Sequence, residues 1–436
     1  MVKTVKFGGS SLCDAAQFQK VKDILLADEA RRFVVVSAPG ARYRGDDKIT
    51  DLLYECQNLA QSGAPFSHVF GRIERRFLSI RDRLGLSVDL ESALGDIRHI
   101  LENGASPDFA ASRGEYLTAL LMADYLGFPF LDAAELICFH DDGTYDDETT
   151  QARMRALQKV DRAVIPGFYG KRKDGSVRTF SRGGSDITGA IVARATDSAL
   201  YENWTDVDGF LMADPRIVPE AKVIETVTYA ELRELSYMGA KVLHEDSIFP
   251  VRKARIPINV RNTNRPHASG TMIVPDGMRL PSEGCPLTGV AGSRGFTVIT
   301  LQKDNLHAEP AYVYRLLGIL TRHNVIVECM PSGIDTISIV ASDAALKGKM
   351  DAIYHDIMAE LAPDTVEIAS CIALVATVGV GMVRHRGVAA DLFGALSEAG
   401  INVRIIDQGT SEMNIIIGVE QRDFEKAIRA ISRKFA

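Results

Sequence analysis

The chain carries one tryptophan and six cysteines in 436 residues, and the cysteines (Cys13, Cys56, Cys138, Cys285, Cys329, Cys371) stand far apart with no CxxC pair. That scatter excludes a disulfide-stapled scaffold and a cysteine-type zinc site, and the expectation is reduced, structural thiols. Long apolar runs are also missing. No stretch of about 18 uncharged apolar residues occurs and the N-terminus lacks the apolar segment of a signal peptide, so no membrane partner is expected and the reading is a cytoplasmic protein. Positive charge is in deficit: 50 lysines and arginines face 57 aspartates and glutamates, for a net charge of -7. That balance gives no basic field for nucleic acid, which is not expected as a partner. With 46% hydrophobic residues over this length, the chain can bury large cores and should divide into two or more domains.

What is present begins at the N-terminus. Val2-Lys3-Thr4-Val5-Lys6-Phe7-Gly8-Gly9-Ser10-Ser11 is a short β-branched run that ends in a lysine, two glycines and two hydroxyl residues. A helix over Ala15 to Leu26 follows, with Asp14 as its N-cap. Glycines let backbone N–H groups approach an anion, the helix N-terminus adds partial positive charge, and Lys6 supplies a mobile point charge at the strand end. Phosphate suits such a turn, although a plain turn has the same composition. The spacing is not G-x-x-x-x-G-K-[ST], because here the lysine precedes the glycines.

Farther along, Arg31 to Val36 reads as a buried strand running into Ser37-Ala38-Pro39-Gly40, then a charged loop from Ala41 to Lys48 and a helix that begins at Ile49. Helical periodicity dominates from Leu52 to Leu126, with Ser112-Arg113-Gly114-Glu115 immediately before the apolar run Tyr116 to Leu126. Strands then alternate with helices: Phe130 to Asp132, Ala163 to Phe168, Ser198 to Trp204. Such alternation predicts an α/β sandwich around a mostly parallel sheet, with ligands at the C-terminal strand ends. Ser181-Arg182-Gly183-Gly184-Ser185-Asp186 is a second glycine turn before a helix over Ile187 to Ala195. Trp204-Thr205-Asp206-Val207-Asp208-Gly209 leads to Asp214-Pro215-Arg216, and Gly239-Ala240-Lys241-Val242-Leu243-His244 places Lys241 in a helix. Taken singly, these are ordinary turns and solvated charges.

Together, and in this order, the four motifs resemble aspartate kinases over essentially the whole chain. The resemblance implies a three-layer αβα amino-acid-kinase sandwich that uses ATP and Mg²⁺ to phosphorylate the side-chain carboxylate of L-aspartate. The chain looks monofunctional, with no dehydrogenase domain after it. By this resemblance Lys6 and Asp186 are the catalytic pair, with Asp186 orienting Lys6. ATP would meet Lys6, Gly8, Gly9 and Ser10, together with Thr205, Asp206, Arg216 and Lys241. Aspartate would meet Ser37, Thr50, Glu115, Arg182 and Ser185, and no protein metal ligand is implied. The residue types suit that chemistry. A substrate carboxylate with a pKa of about 4 is already ionised at neutral pH and needs no general base. Catalysis then consists of alignment and of stabilising the charge that spreads over the phosphoryl oxygens. Glu115 offers an anion for the substrate ammonium and Arg182 a cation for its α-carboxylate; the bland reading of Glu115 is a carboxylate in a helix's first turn. Glu245 follows His244 where many relatives carry proline, and Leu211 stands where an aromatic often lies near the nucleotide.

Residues 262–286 are rich in proline, glycine and polar residues and read as the exit from a catalytic domain spanning 1–285. Beyond it the chain repeats: Leu316-Leu317-Gly318-Ile319-Leu320 matches Leu392-Phe393-Gly394-Ala395-Leu396 and Gly333 matches Gly409, all at one constant offset. The pattern, with a strand from Val325 to Met330 in the first copy, resembles a pair of interleaved ACT modules of βαββαβ type. They would cover about 300–370 and 371–436 within a regulatory region 286–436, bind an amino-acid effector and pair subunits into a homodimer or homotetramer. Lysine is favoured over threonine as effector, because Glu328 stands before the turn Pro331-Ser332-Gly333, with Ser332 and Asp335 as further contacts. The second module has Arg404 at the equivalent place. Other readings are a different amino-acid kinase, acting on glutamate, a carbamate or a nucleotide, or a non-catalytic amino-acid sensor.

Overall fold

The opening stretch forms strand β1 (Lys3–Phe7), which lies in the interior of a seven-stranded sheet. Its companions are β2 (Arg31–Val36), β3 (Ala163–Pro166), β6 (Leu200–Thr205), β7 (Thr226–Thr228), β8 (Ile258–Asn262) and β9 (Thr271–Val274), while β4 (Tyr169–Lys171) and β5 (Val177–Thr179) make a separate antiparallel pair. The sheet order is β3-β2-β1-β6-β8-β9-β7, parallel throughout except between β8 and β9. The computed structural model describes residues 1–181, 183–239, 243, 245–278 and 285–435.

Period-two alternation in the strands decides which face each side chain takes. Val5 and Phe7 of β1 and Val34 and Val36 of β2 pack under helices α1 (Ala15–Leu26), α2 (Ile49–Gln61), α3 (Ser67–Leu84), α4 (Leu90–Glu102) and α5 (Pro107–Leu126). Phe33 and Val35 point the other way, onto Ile187, Ile191 and Val192 of the helix Gly184–Ala195. With a helical layer on each face, the sheet is buried between two apolar cores, as the parallel pattern requires. Local signals set the helix ends. Asp14 accepts from the Gln17 N–H at 2.9 Å to cap α1, and Ser106 accepts from the Phe109 N–H with Pro107 at the first helical position of α5. Ser112–Glu115 therefore lie within α5, as the helical periodicity indicated, and Glu115 stands in its third turn rather than in a helix's first turn. Residues 262–286 are likewise more than an exit, since β9 returns from that stretch to pair with both β8 and β7.

The chain folds into two compact units: Met1–Phe210 with Val223–Tyr229 and Lys241–Arg279, and Leu211–Lys222 with Ala230–Ala240 and Leu280–Ala436. The expected cut at residue 285 thus meets a more interlaced chain, because two short earlier segments fold with the second unit. That unit holds an antiparallel sheet ordered β11-β10-β12-β14-β13, from β10 (Gly289–Gln302), β11 (Thr336–Ser342), β12 (Thr365–Val378), β13 (Val403–Asp407) and β14 (Asn414–Glu420). β10 and β12 each serve two modules. Their ladder shifts register around Gly295 (φ +85) and Cys371 (φ +61). On one side, Phe296–Gln302 and the start of β12 join β11 and the helices Ala311–Arg322 and Met350–Leu361 around one core. On the other, Gly289–Arg294 and Ile372–Val378 join β13, β14 and the helices Val388–Glu398 and Phe424–Lys434 around another. Two modules are thus interleaved, the second in βαββαβ order and the first in the same order without its second strand.

Two details of the repeat are corrected. Val325–Met330 does not run as a strand and makes isolated bridges only, at Cys329 and, beyond it, at Ser332. The constant offset holds through the first helix of each module and has lengthened by two positions at Thr336 and Asn414, the starts of β11 and β14, so the second copy carries a longer turn. All six cysteines are free, with Cys371 exposed. Among the described residues no helix is long and apolar enough to cross a membrane.

Candidate active site at the C-terminal strand ends

The ladder continues one residue past the parallel strands: the Ser37 N–H donates to Phe7 O at 3.2 Å, that of Gly8 to Trp204 O at 2.9 Å, and that of Gly167 to Val36 O at 2.9 Å. Loops therefore leave β1, β2, β3 and β6 side by side, which is where an open parallel sheet gathers a ligand. Two of these loops touch through backbone alone. Gly40 donates its N–H to Gly9 O at 2.8 Å, and a Cβ on Gly9 would lie 2.7 Å from Ala38 O while one on Gly40 would lie 2.8 Å from the Gly9 carbonyl carbon. Only glycine at both positions lets the turns cross.

Lys6 is buried, and its Nζ lies 2.7 Å from Asp186 Oδ1 in the first turn of the helix Gly184–Ala195. The two residues assigned to catalysis are thus in contact. After them come Gly9–Leu12 as a short 3-10 helix, whose first N–H groups have no partner within the helix. Gly8 is a correction: its N–H is bound to Trp204 O and is not free for phosphate, so the available amides are those of Gly9 and Ser10.

Glu115 reaches the same strand ends from the third turn of α5. Gly114 makes this possible, because a Cβ there would sit 2.6 Å from the Ala38 Cβ. The side chain is 5% exposed. Burial pushes its carboxyl up to about 8, against the opposing influence of the Ala38 N–H, Arg113 and Lys6. Its Oε2 is buried with no hydrogen-bond partner among the described residues. A buried carboxyl with one oxygen open is an unfinished polar site, and a ligand cation there would favour its ionised form.

The other expected residues are placed as follows. Ser37 stands one residue past β2, Thr50 in the first turn of α2, and Ser185 beside Asp186, against Gly167 at the end of β3. Thr205 closes β6 and its hydroxyl donates to Asp206 Oδ1 at 3.1 Å. Arg216 folds with the second unit, where it is 86% exposed and ion-paired to Asp214 at 2.6 Å. Arg182 and Lys241 lie outside the described residues.

Two residues of this region were not anticipated. Arg76 of α3 is buried and donates to Cys13 O at 3.4 Å, Gly40 O at 3.2 Å and Asp46 Oδ2 at 2.8 Å. It ties the charged loop Ala41 to Lys48 to both crossing turns. Asn203 of β6 lies beside the Lys6–Asp186 pair, its Nδ2 2.8 Å from Asp186 Oδ1. The available signal was two consecutive polar residues, Glu202 and Asn203, in a buried strand, which demand partners.

In the second unit, Glu328 Oε2 accepts from the Tyr237 hydroxyl at 2.6 Å. That bond, more than burial, pushes the phenol up to about 12. Asp335 accepts from the Asn305 N–H at 3.0 Å through its side chain, and Ser332 bridges to Ile337. Arg404 stands 3.9 Å from Glu420.

Residues 1–262 match the amino acid kinase family, and residues 375–435 match the ACT domain. The whole chain is 37% identical to aspartokinase 3 of Bacillus subtilis and covers 98% of it. The chain belongs to the aspartokinases of the amino acid kinase family. It superposes over its full length on the crystal structure of Clostridium acetobutylicum aspartate kinase, described as an allosteric enzyme, at 47% identity and a TM-score of 0.91 with all of that chain covered. Against Escherichia coli aspartokinase III in complex with aspartate and ADP, the identity is 27% and the TM-score 0.72, with 100% of this chain and 99% of that one covered. The same enzyme with lysine and aspartate gives 27% and 0.70, at the same coverage. As a member of this family the chain is an ATP-dependent kinase.

Proposed function

We propose that the chain transfers the γ-phosphoryl group of ATP to the side-chain carboxylate of L-aspartate, giving 4-phospho-L-aspartate. The observation that carries this reading is Glu115, whose buried, unpartnered Oε2 asks for a cation beside the Lys6–Asp186 pair. The α-ammonium of an amino acid is such a cation. Arg182 takes the α-carboxylate, and Ser37 just past β2, Thr50 in the first turn of α2 and Ser185 in the first turn of the helix Gly184–Ala195 hold the reacting carboxylate. Lys6 and the Gly9 and Ser10 amides face the transferring phosphoryl group and stabilise the charge that spreads over its oxygens. Asp186, 2.7 Å away, keeps Lys6 aimed. Lys241, Thr205 and Asp206 take the rest of the nucleotide. Mg²⁺ bound to the ATP phosphates would supply further positive charge there.

For regulation, we infer that the second unit binds an amino-acid effector, with lysine preferred. Glu328 would take the effector's side-chain ammonium, displacing the Tyr237 hydroxyl, and Ser332 and Asp335 would complete the contacts. The two modules would pair subunits into a dimer or tetramer. The test of the reaction is a coupled ADP-release assay with MgATP and aspartate, glutamate or UMP. Turnover with aspartate alone is expected, and preferential turnover of either other acceptor would refute the substrate assignment.

A further inference from the structure

Asn203 is opposite Lys6 in the parallel register of β1 and β6. Both side chains project toward the helix Gly184–Ala195, and Asn203 is 3% exposed. Its Nδ2 donates to Asp186 Oδ1 at 2.8 Å, the same oxygen that meets Lys6 Nζ at 2.7 Å. Its Oδ1 accepts from Lys6 Nζ at 3.4 Å. The three groups close a triangle in which every member touches the other two.

Two residues earlier on the same face, Tyr201 donates its hydroxyl to the Asp186 backbone oxygen at 3.2 Å. Gly189 lets the ring come this close, since a Cβ there would lie 2.4 Å from the hydroxyl oxygen. β6 thus grips Asp186 by its main chain through Tyr201 and by its side chain through Asn203. The consequence falls on Lys6. An ammonium has three N–H donors on a rotatable stem; one goes to Asp186 and a second, longer one to Asn203. The third is left for a ligand, and Lys6 Nζ lies 3.6 Å from where a Gly8 Cβ would be, over the glycine turn.

We propose that Asn203 is a positioning residue for phosphoryl transfer, holding Lys6 and Asp186 so that one N–H of Lys6 is aimed at the transferring group. This rests on the reaction proposed above. Asn203 binds no substrate in this scheme, so its loss should act on the transition state and leave both substrates' binding in place.

The experiment is steady-state kinetics of the full chain with MgATP and aspartate, on the parent, Asn203→Leu and Asn203→Asp, with thermal melts of each. Leucine keeps the branching at Cγ and removes both hydrogen bonds. Its kcat should fall by about tenfold or more, with both KM values within about twofold. Aspartate at this position still accepts from Lys6 but sets a carboxylate against Asp186, and two carboxylates so close must share a proton. The kcat of Asn203→Asp should therefore recover relative to the parent as pH falls from 8 to 6. A residue that serves packing alone would move the melt and neither of these. A folded Asn203→Leu with kcat within twofold of the parent, or with raised KM and unchanged kcat, overturns the proposal. If Asn203→Leu does not fold, Asn203→Asp decides, and a parent-like pH profile at parent-like kcat overturns it. The parent tests the substrate separately. If it turns over another acceptor, the aspartate reading fails and the same comparison is made on that acceptor.

Discussion

The buried Glu115 makes aspartate binding a proton-linked event. With its carboxyl pushed up to about 8, the unliganded protein holds it about 90% protonated at pH 7 and about 99% at pH 6. The substrate ammonium needs the ionised form, so binding must expel the proton. Well below pH 8 the apparent Kd for aspartate should rise about tenfold per pH unit, or roughly 50-fold between pH 8 and pH 6. Calorimetric titration of aspartate without nucleotide, in two buffers of different ionisation enthalpy, counts the protons directly. Close to one should be released per aspartate at pH 7, and Glu115→Gln should release none while binding weakly at every pH. The sign for folding is the reverse of a salt-bridged carboxylate. The folded pKa is raised, so the contribution to stability is full below the ordinary value of 4.5 and is lost as pH rises through about 8. Aspartate should therefore stabilise the protein against heat most at alkaline pH. A Kd that stays flat from pH 6 to pH 9 with no proton release would refute the role given to this oxygen.

Other outcomes follow from the same geometry. Lys6→Ala removes a preorganised charge from the developing anion and should lower kcat on the order of 10²–10³ with aspartate binding little changed; steady-state kinetics check it, and a kcat within a few-fold of the parent would sink the assignment. Gly9→Ala sets a methyl 2.7 Å from Ala38 O, so the melt should show a loss of about 1–3 kcal/mol and activity should drop because the crossing turns separate. Arg182→Ala should raise KM for aspartate; a raised KM for ATP alone would move this residue to the nucleotide. For the effector, initial rates with lysine and with threonine on the parent and on Glu328→Ala should show lysine inhibition that the variant loses. Inhibition by threonine alone, or a variant as lysine-sensitive as the parent, would remove Glu328 from that role.

Much of this was written locally. Alternating apolar residues on either side of Lys6, the Asp14 cap and the glycines that follow β1 specify strand, turn and helix from interactions a few residues long, and these are legible without tertiary structure. The repeat of Leu316–Leu320 at Leu392–Leu396 marked two copies of one module in the same way. What the sequence could not carry were relations between distant segments. The burial of Glu115 depends on Gly114 fitting against Ala38, which belongs to a loop on the other side of three intervening helices in the chain, and desolvation, which alters the carboxyl most, is a property of that packing. The Gly8 amide was lost to the site because the parallel register of β1 and β6 carries Trp204 O to it. The same register made a partner for Lys6 out of Asn203, which in sequence is one polar residue in a buried run. The sequence determined which side chains can bear charge and which segments pair or coil, because those follow from chemistry and period. Which charges are dry, and which amides remain open, was decided only when strands as distant in the chain as β1 and β6 came into register, because solvent exclusion and hydrogen-bond partnership depend on what lies across the fold.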